Sequence, residues 1–281
     1  MLPFSIGVLL DGFRLPVDAA LDKAVEVGAT GIQVYATNGS LAPENLVGEK
    51  RAEFRRKVAD HGLTISALCG DIGRFDDPAI IPGRIERSKR IMDLAQDLGV
   101  NVVTTHIGVV PASPAHERYK IMQEACFELS RYADSLNAHF AIETGPEPAN
   151  VLRRFLDDLH STGVAVNLDP ANLVMVTGDD PVQAVETLKD YIVHTHAKDG
   201  IKLHENDPEV VYGLVTNDVP TGRGFKEVPL GEGSVDWPNY LRALDRIGYR
   251  GFLTIEREVG ENPARDIGLA VQFLKKHLAA D

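Results

Sequence analysis

The strongest indication of the fold is the segment IVHTHAKD, which runs from Ile192 to Asp199. Polar residues alternate in it with apolar or small ones, and this is the pattern of a β-strand whose side chains point alternately to opposite faces. One face carries Val193, Thr195 and Ala197, and the other carries His194, His196 and Lys198. We therefore predict a strand that packs its first face against helices and turns its polar face inward.

Seven other short segments have the composition of strands, and amphipathic helical patterns such as Phe54–His61, Ile85–Leu98 and Tyr119–Leu136 separate them. Strands that alternate with helices indicate a parallel sheet, and eight such units predict closure into a (β/α)8 TIM barrel of the α/β class. A length of 281 residues suits one barrel, so we predict a single domain over residues 1–281. The other seven segments are Phe4–Leu10, Gly31–Ala36, Thr64–Asp71, Asn101–Gly108, His139–Gly145, Val164–Pro170 and Gly251–Glu258.

Helix boundaries are marked by capping residues and by glycine. A capping residue precedes a proline, the usual opening of a helix, at Ser113-Pro114, Asp180-Pro181 and Asn262-Pro263. Glycine between a helical pattern and the next strand predicts a left-handed residue that ends the helix. Such glycines are Gly28, Gly62, Gly99, Gly163 and Gly248.

The connection after the seventh strand is much longer than the others. It covers residues 200–235 and is rich in Gly, Pro, Asp and Asn. Connections of this length are uncommon inside a compact domain unless they are functional or disordered. We predict a long loop that covers the mouth of the barrel.

The bulk composition excludes several classes of partner. The formal net charge is −12, which disfavours nucleic acid and anionic membranes as partners. The two cysteines, Cys69 and Cys126, form neither a CxxC motif nor a disulfide framework, and the N-terminus lacks the pattern of a secretory signal. We therefore predict a cytoplasmic protein, and the sequence leaves open whether it forms a homo-oligomer.

Four consecutive strands end in residues that can bind a metal ion. Active sites of TIM barrels lie at the carboxyl ends of the strands, so these side chains are expected to meet at the mouth. A single Glu or His there is more often structural, but four in register favour a shared ligand. A divalent cation would relieve the repulsion among the three carboxylates, and the imidazole would complete its ligand set. Such a set suits Mn²⁺, Mg²⁺, Co²⁺ or Zn²⁺, of which we favour Mn²⁺. The four residues are Glu143, Asp169, His196 and Glu256.

Three further residues are candidates for substrate binding. His106 ends the fourth predicted strand, Asn172 follows Asp169 by one short turn, and Lys198 follows His196 on the same face. Each carries a polar group that can meet a hydroxyl or carbonyl oxygen at the barrel mouth. The expected partner is a small carbohydrate.

Five motifs occur in an order that resembles one family over essentially the whole chain. The resemblance is to the sugar phosphate isomerase/epimerase family, which has a xylose isomerase-like TIM barrel. It implies that the four residues named above bind one metal ion. By the pattern of the family's ketose 3-epimerases, it also implies that Glu143 and Glu256 exchange a proton on the carbon beside a carbonyl. The motifs are Ile142-Glu143-Thr144-Gly145, Asn167-Leu168-Asp169-Pro170, His194-Thr195-His196-Ala197-Lys198-Asp199, Gly231-Glu232-Gly233-Ser234-Val235-Asp236-Trp237 and Leu253-Thr254-Ile255-Glu256-Arg257-Glu258.

Two positions depart from the tagatose-type 3-epimerases of that family. Asn172 stands where these enzymes carry a His, and Ala149 stands where they carry a second Glu, although Glu147 is near. In those enzymes both residues help to bind the end of the substrate. The departures argue against a ketohexose substrate and leave the metal ligands intact.

The sequence favours a metal-dependent isomerase or epimerase acting on a sugar, sugar acid or sugar phosphate. The main alternative uses the same metal site for lyase chemistry, as an inosose-type dehydratase. An abasic-site endonuclease would need more ligands on the early strands, whereas the second strand ends in Val34-Tyr35-Ala36-Thr37. A non-enzymatic sugar-binding barrel remains the fourth hypothesis, since a barrel alone does not define a function.

Overall fold

The protein forms a closed barrel of eight parallel strands with helices around it, and this confirms the predicted fold class. The structure is a computed structural model that describes residues 2–205, 207–215 and 224–280. Going around the barrel, the strands follow the chain from β1 to β7, and β10 then closes the ring between β7 and β1. The strand bounds are β1 Ser5–Leu9, β2 Gly31–Tyr35, β3 Thr64–Cys69, β4 Val102–Thr105, β5 His139–Glu143, β6 Val164–Leu168, β7 Ile192–Ala197, β8 Asp199–Lys202, β9 Phe225–Val228 and β10 Phe252–Ile255.

Helices follow the barrel strands and pack on the outside of the ring. The helix α6 is short and continues into one turn of π-helix at Leu173–Thr177, directly after the sixth strand. The helix bounds are α1 Val17–Val27, α2 Glu49–Asp60, α3 Ile81–Leu98, α4 Glu117–Ser135, α5 Ala149–Asp157, α6 Pro170–Asn172, α7 Pro181–Leu188, α8 Pro208–Val211, α9 Trp237–Arg246 and α10 Pro263–Ala280. Within the residues that the structure describes, no helix has the length and hydropathy needed to span a bilayer.

Successive side chains of each barrel strand point alternately to an apolar core beneath the helices and to the interior of the barrel. In β5, for example, Phe140 and Ile142 belong to the core beneath the helices, whereas Ala141 packs with Val102 inside the ring. The prediction for β7 is wrong at one residue, because Val193 also packs inside the ring rather than with Thr195. The pairing of β6 with β7 shifts register at this point. A bulge of this kind inserts a residue and turns two successive side chains to one face.

The predicted helix boundaries are confirmed in part. Asp180 caps α7 by accepting a hydrogen bond from the backbone N–H of Val182, and Gly28 ends α1 with a φ of +84°. Ser113 does not open a helix, because α4 begins at Glu117 with His116 as its cap. The prediction for Gly163 is also wrong, since its φ is not positive. Glycine is required there by close packing, because a Cβ would lie 2.2 Å from the carbonyl oxygen of Ser130.

The connection after β7 contains regular structure where it is described. The strands β8 and β9 form an antiparallel ribbon, and α8 lies between them in the chain. We call residues 199–205, 207–215 and 224–228 the mouth segment. Residues 206 and 216–223 of the predicted loop lie outside the described residues.

A buried carboxylate fastens the base of the mouth segment. The Asp199 side chain, which is 1% exposed, accepts one hydrogen bond from the backbone N–H of the following residue and two from backbone N–H groups after β9. It accepts a fourth from the indole Nε1 of Trp237. Gly233 passes so close that a Cβ would lie 2.0 Å from Oδ1 of Asp199. The glycine-rich segment from Gly231 to Gly233 is therefore shaped to wrap this side chain. The backbone donors belong to Gly200, Gly231 and Val235.

Candidate metal centre

The four residues predicted as metal ligands converge at the carboxyl end of the barrel. Glu143 is the last residue of β5 and His196 lies next to the last of β7, while Asp169 and Glu256 directly follow β6 and β10. All four are buried. One candidate ligand atom from each lies within 4.8 Å of the other three. These residues are called the quartet below.

An amide behind the quartet fixes the orientation of His196. Its Nε2 donates to Oε1 of Gln33 over 3.0 Å, and Nε2 of Gln33 donates to Oγ1 of Thr104 over 2.8 Å. Because Nε2 donates to Gln33, Nδ1 is the ring nitrogen that faces the three carboxylates, and its lone pair is the one available to a cation bound among them. The distances from His196 Nδ1 are 3.6 Å to Glu143 Oε1, 3.4 Å to Asp169 Oδ2 and 3.3 Å to Glu256 Oε2.

The quartet has the properties of a site for a divalent cation. Asp169 Oδ2 and His196 Nδ1 are buried and lie 3.4 Å apart, and neither forms a well-aligned hydrogen bond among the described residues. Burial lowers the pKa of His196, but the charges of Glu256 and Glu143 raise it well above its usual value. The quartet therefore attracts positive charge to the point where its four acceptors meet. Three carboxylates and one imidazole suit Mn²⁺, Mg²⁺, Co²⁺ or Zn²⁺.

A hydrogen-bonded layer inside the barrel supports the quartet from below. Asn167 donates from Nδ2 to Oε2 of Glu143 over 3.1 Å, and its Oδ1 accepts from Nδ1 of His194 over 2.8 Å. Thr254 in turn donates to Nε2 of His194 over 3.0 Å. Burial is the main reason why the pKa of His194 lies well below its usual value, so this ring is neutral and structural. The layer holds Glu143 in one orientation before any ligand binds.

Lys198 lies in the cavity and holds one glutamate of the quartet. Its Nζ donates to Oε2 of Glu256 over 2.9 Å and to Oε2 of Glu258 over 2.7 Å. Burial raises the pKa of Glu256, but the charges of Lys198 and His196 lower it well below its usual value. Burial lowers the pKa of Lys198, but Glu256 raises it well above its usual value. Lys198 thus remains an ammonium group that keeps Glu256 ionised.

His106 directly follows β4 and points at the quartet from the opposite side. Its Nδ1 donates to Oδ2 of Asp71 over 2.9 Å, and its Nε2 lies 3.7 Å from Oε1 of Glu143. Burial lowers the pKa of His106, but the charges of Glu143 and Asp71 raise it to about 9. The ring of Tyr212 packs against this imidazole with 5.5 Å between ring centres. Asp71 and Tyr212 therefore orient a donor that faces the cavity.

Asn172 also contacts the quartet directly. Its Nδ2 donates to Oε1 of Glu143 over 2.9 Å, while its backbone N–H donates to Oδ1 of Asp169 over 2.9 Å.

Glu147 is a buried carboxyl group outside the quartet, and it accepts a hydrogen bond from the backbone N–H of Val110 over 2.9 Å. Burial raises the pKa of Glu147 to about 8, so this carboxyl group is largely neutral at pH 7.

The quartet opens into a cavity of about 1070 Å³ that the mouth segment partly lines. His106, Asn172 and Lys198 all line this cavity, so the structure brings the three predicted substrate-binding residues to the same space as the quartet. Sequence reasoning missed several other lining residues, because most of them come from early strands or from the mouth segment. The missed residues include Gln33, Tyr35, Asp71, Tyr212 and Glu258.

Comparison with known proteins supports the relationship that the fold suggests. The sequence profile described as xylose isomerase-like TIM barrel matches residues 21–277. The chain belongs to this family. The match covers every strand of the barrel except β1, together with the whole quartet.

Relatives of this xylose isomerase-like barrel include sugar epimerases. The L-ribulose-5-phosphate 3-epimerase UlaE of Salmonella paratyphi A is 24% identical over 271 residues, which cover 92% of this chain and 88% of that protein. The uncharacterized protein YfiH of Bacillus subtilis (strain 168) is 26% identical over 315 residues, covering 95% of this chain and 96% of YfiH. A xylose isomerase domain protein from Planctomyces limnophilus has a TM-score of 0.79 at 25% identity, with 98% of this chain and 96% of that chain covered. The predicted membership of the sugar phosphate isomerase/epimerase family is confirmed.

Proposed function

We propose that the protein is a divalent-metal-dependent isomerase or epimerase of a sugar, sugar acid or sugar phosphate. The observation that supports this most directly is the quartet, in which two glutamates meet a buried carboxylate oxygen and a buried imidazole nitrogen that form no well-aligned hydrogen bond among the described residues. The relationship to sugar epimerases such as UlaE agrees with this reaction class. In this proposal Glu143, Asp169, His196 and Glu256 hold one metal ion, for which Mn²⁺ is our first choice. When bound, the ion supplies charge stabilisation for the carbonyl oxygen as the neighbouring carbon loses its proton.

The two glutamates of the quartet are assigned the proton transfers. Glu143 belongs to β5 and Glu256 follows β10, and β6 and β7 separate these strands in the ring. Their carboxylates therefore approach a bound substrate from different directions. One removes the proton beside the carbonyl and the other returns it, as expected for general base and general acid groups that reach the same carbon.

The predicted substrate-binding residues have donors suited to sugar oxygens. His106 presents Nε2 to the cavity, and this atom has no hydrogen-bond partner among the described residues. Asn172 and Lys198 donate to the two glutamates and also line the cavity. We assign them a double role, in which they position the glutamates and contact the hydroxyl groups next to the reacting carbon.

Addition of Mn²⁺ is expected to stabilise the protein through the quartet. An ion present at one hundred times its dissociation constant stabilises the folded state by about 2.7 kcal/mol, or roughly 5 °C in Tm for a chain of this size. The measurement is thermal unfolding after chelation and again after addition of Mn²⁺. The Asp169→Asn variant should lose most of the shift, while Asp180→Asn, at an exposed helix cap, should keep it. Equal shifts in all three proteins would place the ion elsewhere.

Turnover is tested by following solvent deuterium into the substrate. With Mn²⁺ and a panel of ketoses, their phosphates and their aryl derivatives in D₂O, we expect deuterium at the carbon beside the carbonyl, together with an isomer or epimer as product. Mass spectrometry and proton NMR measure both. An unsaturated ketone or dione would instead identify dehydratase chemistry at the same site, and absence of exchange across the panel would refute the proposal.

A further inference from the structure

The cavity above the quartet has two chemically different parts. Its floor carries the quartet and the donors of His106, Asn172 and Lys198. One side of its outer wall is apolar, and residues of the π-helical turn, of α8, of β9 and Tyr212 directly after α8 form it. The rest of the outer lining is largely charged and includes Glu205, Asp207 and Glu227. The residues of the apolar wall are Met175, Val176, Val210, Val211, Tyr212 and Phe225.

The apolar wall is a packed surface rather than a set of isolated side chains. Met175 and Val176 are buried at 2% and 3% exposure, and Val211, Tyr212 and Phe225 pack against them while remaining half-buried. These three side chains cover a small core and turn their remaining surface to the cavity. Apolar surface in contact with the water of a cavity contributes favourable free energy when an apolar part of a ligand covers it.

A small sugar leaves much of this cavity unused. The volume of about 1070 Å³ lies at the upper end of the range for sites that enclose drug-sized molecules. A free sugar presents hydroxyl groups on nearly every carbon, so it gains little from an apolar wall. The wall therefore indicates a substrate with a further, apolar portion.

The charges around the cavity argue against an anionic portion. Among the described residues that line it, seven carboxylates face two lysines and the histidines His106, His196 and His204. Lys198 already binds Glu256 and Glu258, and a divalent ion at the quartet would still leave the carboxylates in excess. A phosphate placed here would be repelled. The carboxylates are Asp71, Glu143, Glu205, Asp207, Glu227, Glu256 and Glu258, and the second lysine is Lys226.

We propose that the apolar wall is a subsite for an uncharged apolar substituent, so that the substrate is a glycoside-like sugar derivative rather than a sugar phosphate. This inference rests on the proposed function, because it takes the floor of the cavity as the place of the reacting carbons. The sugar portion then lies against the quartet, and the substituent lies between the π-helical turn, α8 and β9.

The test compares binding of sugars by isothermal titration calorimetry with Mg²⁺ present. All proteins in this test carry Glu143→Gln, so that a free aldose is not turned over during the titration. The probes are D-glucose, phenyl β-D-glucoside, 6-O-benzyl-D-glucose, glucose 1-phosphate and glucose 6-phosphate, so that each substituent is tried at both ends of the sugar. At least one aromatic derivative should bind about tenfold more tightly than glucose, and neither phosphate should. The proposal is overturned if both aromatic derivatives bind no better than glucose, or if a phosphate binds best.

Two variants of the mouth segment locate the effect. Val211→Asn places an amide in the apolar wall and should remove the preference for the aromatic derivative while leaving glucose binding unchanged. Leu203→Asn is the matched control, because Leu203 is 60% exposed on the same segment and does not line the cavity. A preference that survives Val211→Asn, or that Leu203→Asn removes equally, would contradict the subsite.

Failure of the subsite and failure of the proposed function give different results. The affinities above are measured with Glu143→Gln present, so they test the wall without turnover. The deuterium experiment tests proton transfer at the quartet with ketoses, their phosphates and their aryl derivatives. Exchange without an aromatic preference overturns the subsite alone, whereas an aromatic preference without exchange overturns the isomerase proposal alone.

Discussion

The Glu143→Gln variant is expected to exchange the proton beside the substrate carbonyl about a thousandfold more slowly than the unaltered protein. A positioned general base contributes roughly 10²–10⁴-fold to a rate, and an amide cannot accept the proton. The amide oxygen can still reach the quartet, so Mn²⁺ binding should weaken without disappearing. Deuterium incorporation measures the first effect, and calorimetric titration with Mn²⁺ measures the second.

A control for this variant lies four residues along the chain. Glu147 is also buried, and because burial raises its pKa to about 8, glutamine closely mimics its state at pH 7. Glu147→Gln keeps an acceptor for the N–H of Val110 and should leave both exchange and Mn²⁺ affinity close to their original values. Full activity in Glu143→Gln would remove Glu143 from the mechanism, whereas equal losses in both variants would indicate a general effect of altering this loop.

The Asp199→Ala variant is expected to lower the free energy of unfolding by about 4 kcal/mol. The carboxylate accepts from three backbone N–H groups and the indole of Trp237, at distances of 2.9 to 3.2 Å. Its removal leaves several buried donors unsatisfied, at about 1–3 kcal/mol each before partial relaxation. Urea unfolding followed by Trp fluorescence measures the loss, because Trp237 is the single tryptophan of the chain.

Asp236→Ala provides the comparison for Asp199→Ala. Asp236 caps α9 beside Trp237, and loss of an exposed helix cap costs about 1 kcal/mol. If Asp199→Ala does not fold, Asp199→Asn retains one acceptor oxygen and should show an intermediate loss. Equal destabilisation by Asp199→Ala and Asp236→Ala would mean that Asp199 does not fasten the mouth segment.

The barrel could be predicted from the sequence because its signals are local and repeated. Segments such as Val164–Leu168 alternate between side chains for the outer core and side chains for the interior, and glycines such as Gly28 end the helices between them. Neither signal depends on distant residues. The bulge in β7 could not be predicted, because the inward turn of Val193 depends on its register with β6 and on contacts with Val102 and Ala141.

The quartet could be predicted because each member stands at the end of its own strand, and closure of the ring brings strand ends together. Gln33 and Asp71 could not be found in this way, since their roles depend on His196 and His106 from other strands. The apolar wall is a further example, because Val211 and Phe225 meet the π-helical turn only in the folded chain. Local patterns thus indicate which residues can bind a ligand, and tertiary contacts determine which residues orient them.

The anchoring of the mouth segment at Asp199 has a consequence for how new specificities can arise in this architecture. Both ends of the segment between β7 and α9 are tied to the Asp199 side chain, three residues after His196, so the intervening chain can change length or composition without transmitting strain to the four strand ends. Exchange of residues 203–224 between relatives is therefore a route to new substrates that leaves the proton-transfer apparatus intact. Chimeric proteins built on this boundary should retain cation affinity while acquiring the sugar preference of the donor.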